Sequence, residues 1–246
     1  MRPTIQWLPS PERTLIGHGS HCLVYKVGQH IEKEWKPTEK ERVKAHRKEW
    51  VQYKTYILRM ASFHKCTTIL QLISPVSHEY LNVEPKSFIT LEYCPYDLFE
   101  VLTTQNKGAY DLMRPNFASH ALQALTFVHW CGFFHCDVKL ENFMMRPNGD
   151  VVLMDFNLSV PIRTDPDGIR EIAKRFIKYP RWGTPRYKPD WTKLDHIDDA
   201  SCGYVLDFYA MHLCGLTIED HQDMDQDDFV PHHLVEMGEA DWWGIL

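Results

Sequence analysis

The segment HCDVKLENFMMRPNGDVVLMDFN, His135 to Asn157, constrains this 246-residue chain more than any other. Two short apolar runs, FMM and VVLM, flank a turn containing Asn148-Gly149, a pairing that favours a tight β-hairpin. Asp137, Lys139 and Asn142 precede the hairpin and Asp155 follows it. Such residues suit phosphoryl transfer, which needs a carboxylate near the acceptor hydroxyl, a metal on the nucleotide phosphates and cations for developing charge. Asp137 can orient and deprotonate a hydroxyl, and Lys139 can neutralise the transferring group. Asn142 and Asp155 offer hard oxygens of the kind Mg²⁺ takes alongside phosphate and water.

The rest of the chain must supply a frame for that segment. This length builds one large domain or two small lobes, and 44 % apolar content with eight tryptophans fits a packed protein. A net charge of −6 argues against a general nucleic-acid binder. The charge is uneven: Leu194 to Leu246 holds no Lys or Arg and thirteen acidic residues, whereas Arg163 to Lys188 holds eight basic and three acidic ones. Seven cysteines without C-x-x-C spacing give no disulfide framework or zinc knuckle, so reduced, mostly buried thiols are expected. The N-terminus lacks the apolar core of a signal peptide, and no apolar run approaches the ~18 residues of a membrane span. These features predict an intracellular protein of cytoplasm or nucleus, with no membrane and no nucleic acid as partner.

Elements up to Glu92 read as strands interrupted by one helix. TLIGHGSHCLVYKVG, QHIEKEWK, TTILQLISPV and KSFITLEY have strand patterns, and Pro37 with Thr38-x-x-Glu41 is a capping box opening a long helix. After Tyr93 the pattern turns helical. RPNFASHALQALTFVHWCG places Phe117, Ala121, Ala124, Leu125 and Val128 on one face, with Gly132 as the stop. The prediction is an α+β chain of two lobes, 1–92 and 93–246, jointed near Glu92–Pro95.

With these motifs in order, the chain resembles the eukaryotic protein kinase family. HCDVKLEN is similar to the catalytic loop H-R-D-L-K-x-x-N, and DFN to D-F-G, on either side of a hairpin of the family's length. IGHGSHCLV resembles the glycine-rich loop through Gly17, Gly19 and Val24, with Ile16 just before and Cys22 replacing the third glycine. The resemblance implies a phosphate-binding lysine on the third strand, read as Lys33 with Lys36 as runner-up, paired with Glu49. It implies that Glu92 C=O and Cys94 N–H meet the adenine edge, that Leu91 sits behind the base and that Asp97 reaches the ribose. It also implies ATP and Mg²⁺ as cofactors and a Ser/Thr-bearing protein as substrate. GTPRYKPD resembles the close of the activation segment through Gly183, Thr184, Tyr187 and Pro189, and YVLDFYAMHLCG resembles the buried helix whose aspartate, here Asp207, supports the catalytic loop.

The departures carry expectations of their own. Cys136 replaces the arginine that binds an activating phosphate in many members, which implies no need for that phosphate. The basic cluster Arg170, Lys174, Arg175, Lys178 and Arg181 suggests an acidic substrate or partner. Asn157 replaces a glycine with unusual dihedrals, and Asn tolerates those next best. Asp190 replaces a glutamate, and His212 stands where a glycine is usual. Only 39 residues follow Asp207, which implies an abbreviated lower lobe, covered by DWWGIL, a partner or a second copy. Lys139 and Thr184 favour Ser/Thr acceptors, and the pared-down pattern is similar in style to kinases of large DNA viruses. The readings are thus an active serine/threonine kinase, a pseudokinase scaffold, or a small-molecule kinase of related fold.

Overall fold

The computed structural model describes residues 12–18, 22–36, 55–81, 84–171, 184–189 and 199–223. They form two compact units: one runs to Lys65 and includes Leu70–Tyr93, and the other joins Cys66–Ile69 to the chain from Cys94 onward. Among the described residues no helix is long and apolar enough to cross a membrane. All seven cysteines are free thiols, five of them buried.

The first unit is an antiparallel sheet of β1 (Arg13–His18), β2 (Cys22–Val27), β3 (His30–Trp35), β4 (Leu72–Leu81) and β5 (Glu84–Glu92), in the order β1-β2-β3-β5-β4. Gly28, at φ +60°, lies in the two-residue turn between β2 and β3. Directly opposed residues share a sheet face. The register therefore lines up Gly17, Val24, Lys33 and Ile89 across four strands. A Cβ at Gly17 would lie 3.3 Å from the Val24 Cβ, so this end of the row is tightly packed. On the other face Glu34 is only 4 % exposed. Arg13 holds it at 2.6 Å, reaches Glu32 at 2.8 Å and lies 3.7 Å over the Tyr25 ring. A helix, α1 (residues 55–63), buries Thr55, Ile57, Leu58 and Ala61. The capping box at Thr38 and Glu41 lies outside the described residues.

The second unit contains β6 (Tyr96–Asp97), α2 (Leu98–Thr103), α3 (Lys107–Trp130), β7 (Phe133–Phe134), β8 (Phe143–Met145), β9 (Val151–Leu153), β10 (Val160–Pro161), α4 (residues 166–171) and α5 (Cys202–Asp223). The hairpin forms as its sequence predicts, with Phe143 opposite Leu153 and Met145 opposite Val151. Gly149 has φ +86°, and a Cβ there would sit 2.7 Å from the Leu112 carbonyl oxygen, so glycine is required twice over. The apolar face of α3 is buried at Phe117, Ala121, Ala124, Leu125 and Val128, and Gly132 ends the turn after it at φ +84°.

Helix α3 begins two turns before the RPNF that opened the predicted segment. Asn106 caps it, its Oδ1 accepting from Ala109 N at 3.1 Å. Pro115 therefore lies inside the helix, where its missing N–H removes one backbone bond. Nearby, the Asn116 side chain donates to Leu112 O at 3.1 Å and to Gly149 O at 3.2 Å, tying the helix to the hairpin turn. Across the unit, the Tyr110 hydroxyl donates to Ile218 O at 2.8 Å, joining α3 to α5.

Two glycines of α5 test this packing in opposite directions. A Cβ at Gly203 would fall 2.4 Å from the buried Phe134 ring, whereas one at Gly215 would meet Phe117 at an ordinary 3.7 Å. Gly203→Ala should destabilise by about 1–3 kcal/mol through overpacking. Gly215→Ala should be neutral or stabilise by up to about 1 kcal/mol, the helix-propensity gain. Denaturant titration of both variants checks the contrast.

Candidate active site

The loop from His135 to Lys139 has no regular structure, so its backbone groups must be satisfied from elsewhere. Asp207, fully buried on α5, does this: its Oδ2 accepts from His135 N at 2.7 Å and its Oδ1 from Cys136 N at 2.7 Å. His129, on α3, donates from Nε2 to the same Oδ2 at 2.9 Å, and its ring meets Phe134, Tyr204 and Phe208 edge-on. The His135 ring is locked as well. Its Nε2 donates to Met154 O at 3.0 Å while Nδ1 accepts from Asp137 N at 3.2 Å. Cys136 takes φ +66°, and its side chain is buried with Phe134, Val160, Cys202 and Leu206.

This frame presents the Asp137 carboxylate to a ring of polar partners. Thr184 Oγ1 donates to Oδ1 at 2.8 Å, Lys139 Nζ approaches Oδ2 at 2.9 Å, and Asn142 Nδ2 donates to Oδ2 at 3.1 Å. Lys139 also donates to Thr184 Oγ1 at 3.2 Å, and Asn142 Nδ2 to Asp137 O at 2.7 Å. A carboxylate has about four acceptor sites. Among the described residues three are used, which leaves a second site on Oδ1. Both Asn142 bonds run through its nitrogen, which turns its Oδ1 away from Asp137. Asp155 stands just past β9, next to Met154, whose N donates to Asn142 O at 2.9 Å. Asp155 has a left-handed backbone, φ 60° and ψ 67°.

That dihedral corrects the reading of Asn157. The left-handed residue is Asp155, while Asn157 lies in a 3₁₀ turn, Phe156–Leu158, outside the positive-φ set. Asn157 is therefore not there to tolerate unusual dihedrals.

The other candidates stand as follows. Ile16 and Gly17 are on β1, Val24 on β2 and Lys33 on β3, the last three in the row described above. Lys36 lies beyond the end of β3, its Nζ 3.3 Å from His18 Nδ1. Gly19 and Glu49 lie outside the described residues, as do most of the activation-segment basic cluster and Asp190. Glu92 ends β5; its N donates to Gln71 O at 3.0 Å and its Oε1 accepts from Gln71 N at 2.7 Å. Cys94 is buried. Asp97 caps α2, its Oδ1 accepting from Glu100 N at 2.7 Å, and burial pushes its carboxyl above the usual range.

A family profile described as the protein kinase domain matches residues 11–217. The chain belongs to the protein kinase domain family. It is 33 % identical over 140 residues to CBL-interacting serine/threonine-protein kinase 16 of Arabidopsis thaliana, a match covering 54 % of this chain and 29 % of that one. It is 29 % identical over 224 residues to CBL-interacting protein kinase 12 of Oryza sativa subsp. japonica, covering 85 % of this chain and 37 % of the relative. Protein kinase PINOID 2 of Arabidopsis thaliana is 39 % identical over 75 residues, 30 % of this chain and 14 % of the relative. The chain thus spans well under half the length of these curated relatives. The family generally uses ATP and Mg²⁺.

Two residues of this kinase domain escaped the sequence reading as site residues. Thr184 stood out in the sequence as part of the activation-segment close and as a mark of Ser/Thr acceptors, not as a partner of Asp137, because that bond spans 47 positions. His129 carried no motif signal at all. Replacing the anchor tests the frame: Asp207→Asn turns one acceptor into an NH₂ facing a donor. It should cost about 3 kcal/mol, the loss expected on breaking buried bonds to a charged group. Denaturant titration checks this.

Proposed function

We propose that this kinase domain is an active serine/threonine protein kinase, transferring the γ-phosphate of ATP to Ser or Thr hydroxyls of a protein. The observation that carries the reading is the Asp137 carboxylate, oriented by Thr184, Lys139 and Asn142 with one acceptor site on Oδ1 left over. Asp137 takes the proton of the acceptor hydroxyl at that oxygen. Lys139, whose ammonium reaches both Asp137 and Thr184, stabilises charge on the transferring group.

The donor set fits a hard divalent ion. Asn142 turns an amide oxygen away from Asp137, and Asp155 adds a carboxylate, so both donors are oxygens. Mg²⁺ held there would neutralise phosphate charge. Lys33 binds the α- and β-phosphates with Glu49 as its partner. Ile16, Gly17, Gly19 and Val24 cover the nucleotide, Glu92 C=O and Cys94 N–H meet the adenine, and Asp97 meets the ribose. The row that sets Lys33 opposite Val24, next to Gly17, supports Lys33 over Lys36 for this role.

Phosphate transfer from labelled ATP-Mg²⁺ to generic protein substrates tests the reading. Asp137→Asn should lower kcat by about 10²–10⁴, the range for a general base, and Lys33→Met should abolish transfer. A kcat within about tenfold of the parent in Asp137→Asn overturns the mechanism. Thermal stabilisation by ATP without any transfer would instead mark a nucleotide-binding pseudokinase.

Thr184 gives a finer check, because it acts through Asp137 rather than on the acceptor. Thr184→Ser keeps the hydroxyl and should stay within about threefold of the parent. Thr184→Val should lower kcat about tenfold, as for ~1.4 kcal/mol, with KM nearly unchanged.

A further inference from the structure

Helix α3 packs one face against α2, β7, β9 and α5 and turns the other to solvent. Along that outer face, at helical spacing, run Leu112, Pro115, Ser119, Leu122, Thr126 and Trp130, all exposed. The three large side chains stand well out: Leu112 is 50 % exposed, Leu122 47 % and Trp130 59 %. At the rise of an α-helix the stripe is about 27 Å long.

A helix with one side in the interior ordinarily carries charge on the other. The three charged residues of α3, Lys107, Asp111 and Arg114, all fall in its first eight positions. From Pro115 to Cys136 the sequence holds no Asp, Glu, Lys or Arg. Water therefore meets a long uncharged surface with three large apolar side chains, and covering them is favourable.

The order of residues along the stripe says what fits it. Turned end for end about residues 120 and 121, the stripe maps onto itself. Leu112 comes opposite Trp130, Pro115 opposite Thr126, and Ser119 opposite Leu122. Large side chains meet at both ends, and at the centre a small one meets a large one, so the axes can close to the about 8–10 Å of packed helices. The charged first turns of each helix then lie beside the uncharged last turns of the other, and no like charges meet. A contact in which one patch serves both molecules is what a two-fold axis requires. A charged partner would find nothing on the stripe to pair with.

We propose that this face of α3 binds the same face of a second copy of the chain, antiparallel, as a two-fold dimer. The stripe lies opposite the face that packs on β7, whose end leads into the Asp137 loop, so pairing leaves that loop uncovered. One helix pair buries an area at the low end of stable interfaces, which puts dissociation in the micromolar range.

Sedimentation velocity of the whole chain, from about 1 to 100 µM, should show monomer passing to dimer. Leu122→Glu sets a carboxylate beside the two-fold axis in each copy. It should raise the dissociation constant at least about thirtyfold and leave thermal stability unchanged, because the side chain is half exposed. Mixing that variant with a Ser119→Lys chain should restore a dimer, since antiparallel pairing sets the new lysine of one copy against the new glutamate of the other. Sedimentation needs no phosphate transfer, so its outcome is independent of the kinase reading. A chain that stays monomeric at about 100 µM overturns the proposal, as does a dimer that Leu122→Glu leaves intact. Loss of the dimer without rescue in the mixture overturns the antiparallel pairing. A monomeric parent that Leu122→Glu destabilises by several degrees would mark the stripe as covered from within the chain, which also overturns it.

Discussion

The site depends first on one buried carboxylate. Asp207 ties three separated parts of the chain together: the end of α3 through His129, the loop at His135–Cys136, and its own helix α5. Without it, two backbone N–H groups in an irregular loop would lack acceptors in the interior. It also carries the strain at Cys136. A non-glycine residue with left-handed backbone costs about 1–2 kcal/mol. Each of the two bonds at 2.7 Å to a charged acceptor is worth about 1.5–3 kcal/mol, so the pair outweighs the strain.

What Asp207 does for the backbone, Thr184, Lys139 and Asn142 do for the next side chain. Asp137 follows directly on the strained residue, so its direction is set by the loop and then fixed by three donors. The second strained residue, Asp155, lies just past the hairpin that begins at Phe143, immediately after Asn142. Of the four described non-glycine residues with positive φ, Cys136 and Asp155 bracket Asp137, Lys139 and Asn142 along the chain, while Lys65 and Gln105 lie in turns elsewhere. Strain at positions such as Cys136 and Asp155 is typical of sites whose side chains must point where an ordinary backbone would not send them.

Much of this was legible because periodic patterns survive in one dimension. The hairpin followed from two apolar runs around Asn148-Gly149, and the buried face of α3 from apolar spacing. The alternation of β3 placed Lys33 on a face with Ile31, and the register then set it opposite Val24. What was not legible depended on distance in space or on exceptions to local rules. Pro115 reads as a helix boundary, yet α3 runs through it, with a cap at Asn106 and the Asn116 side chain bonded nearby. The strand pattern of QHIEKEWK says nothing of a partner for Glu34, yet Glu34 is buried and Arg13, 21 positions away, meets it while lying over Tyr25. The substitution at Asn157 marked the right neighbourhood for backbone strain and the wrong residue, because sequence shows which residue departs from a pattern, not where the chain turns.

Cys136 shows how those two kinds of information combine. Its sequence position suggested the loss of a charged handle, and its surroundings show what replaced it. The thiol packs among Phe134, Val160, Cys202 and Leu206, where an arginine would bury a charge in an apolar cluster. The loop that arginine would have served is instead braced by Asp207, His129 and Met154 O, all from within the chain. All of these partners belong to the same unit, so the loop that precedes Asp137 is held by the fold of that unit itself.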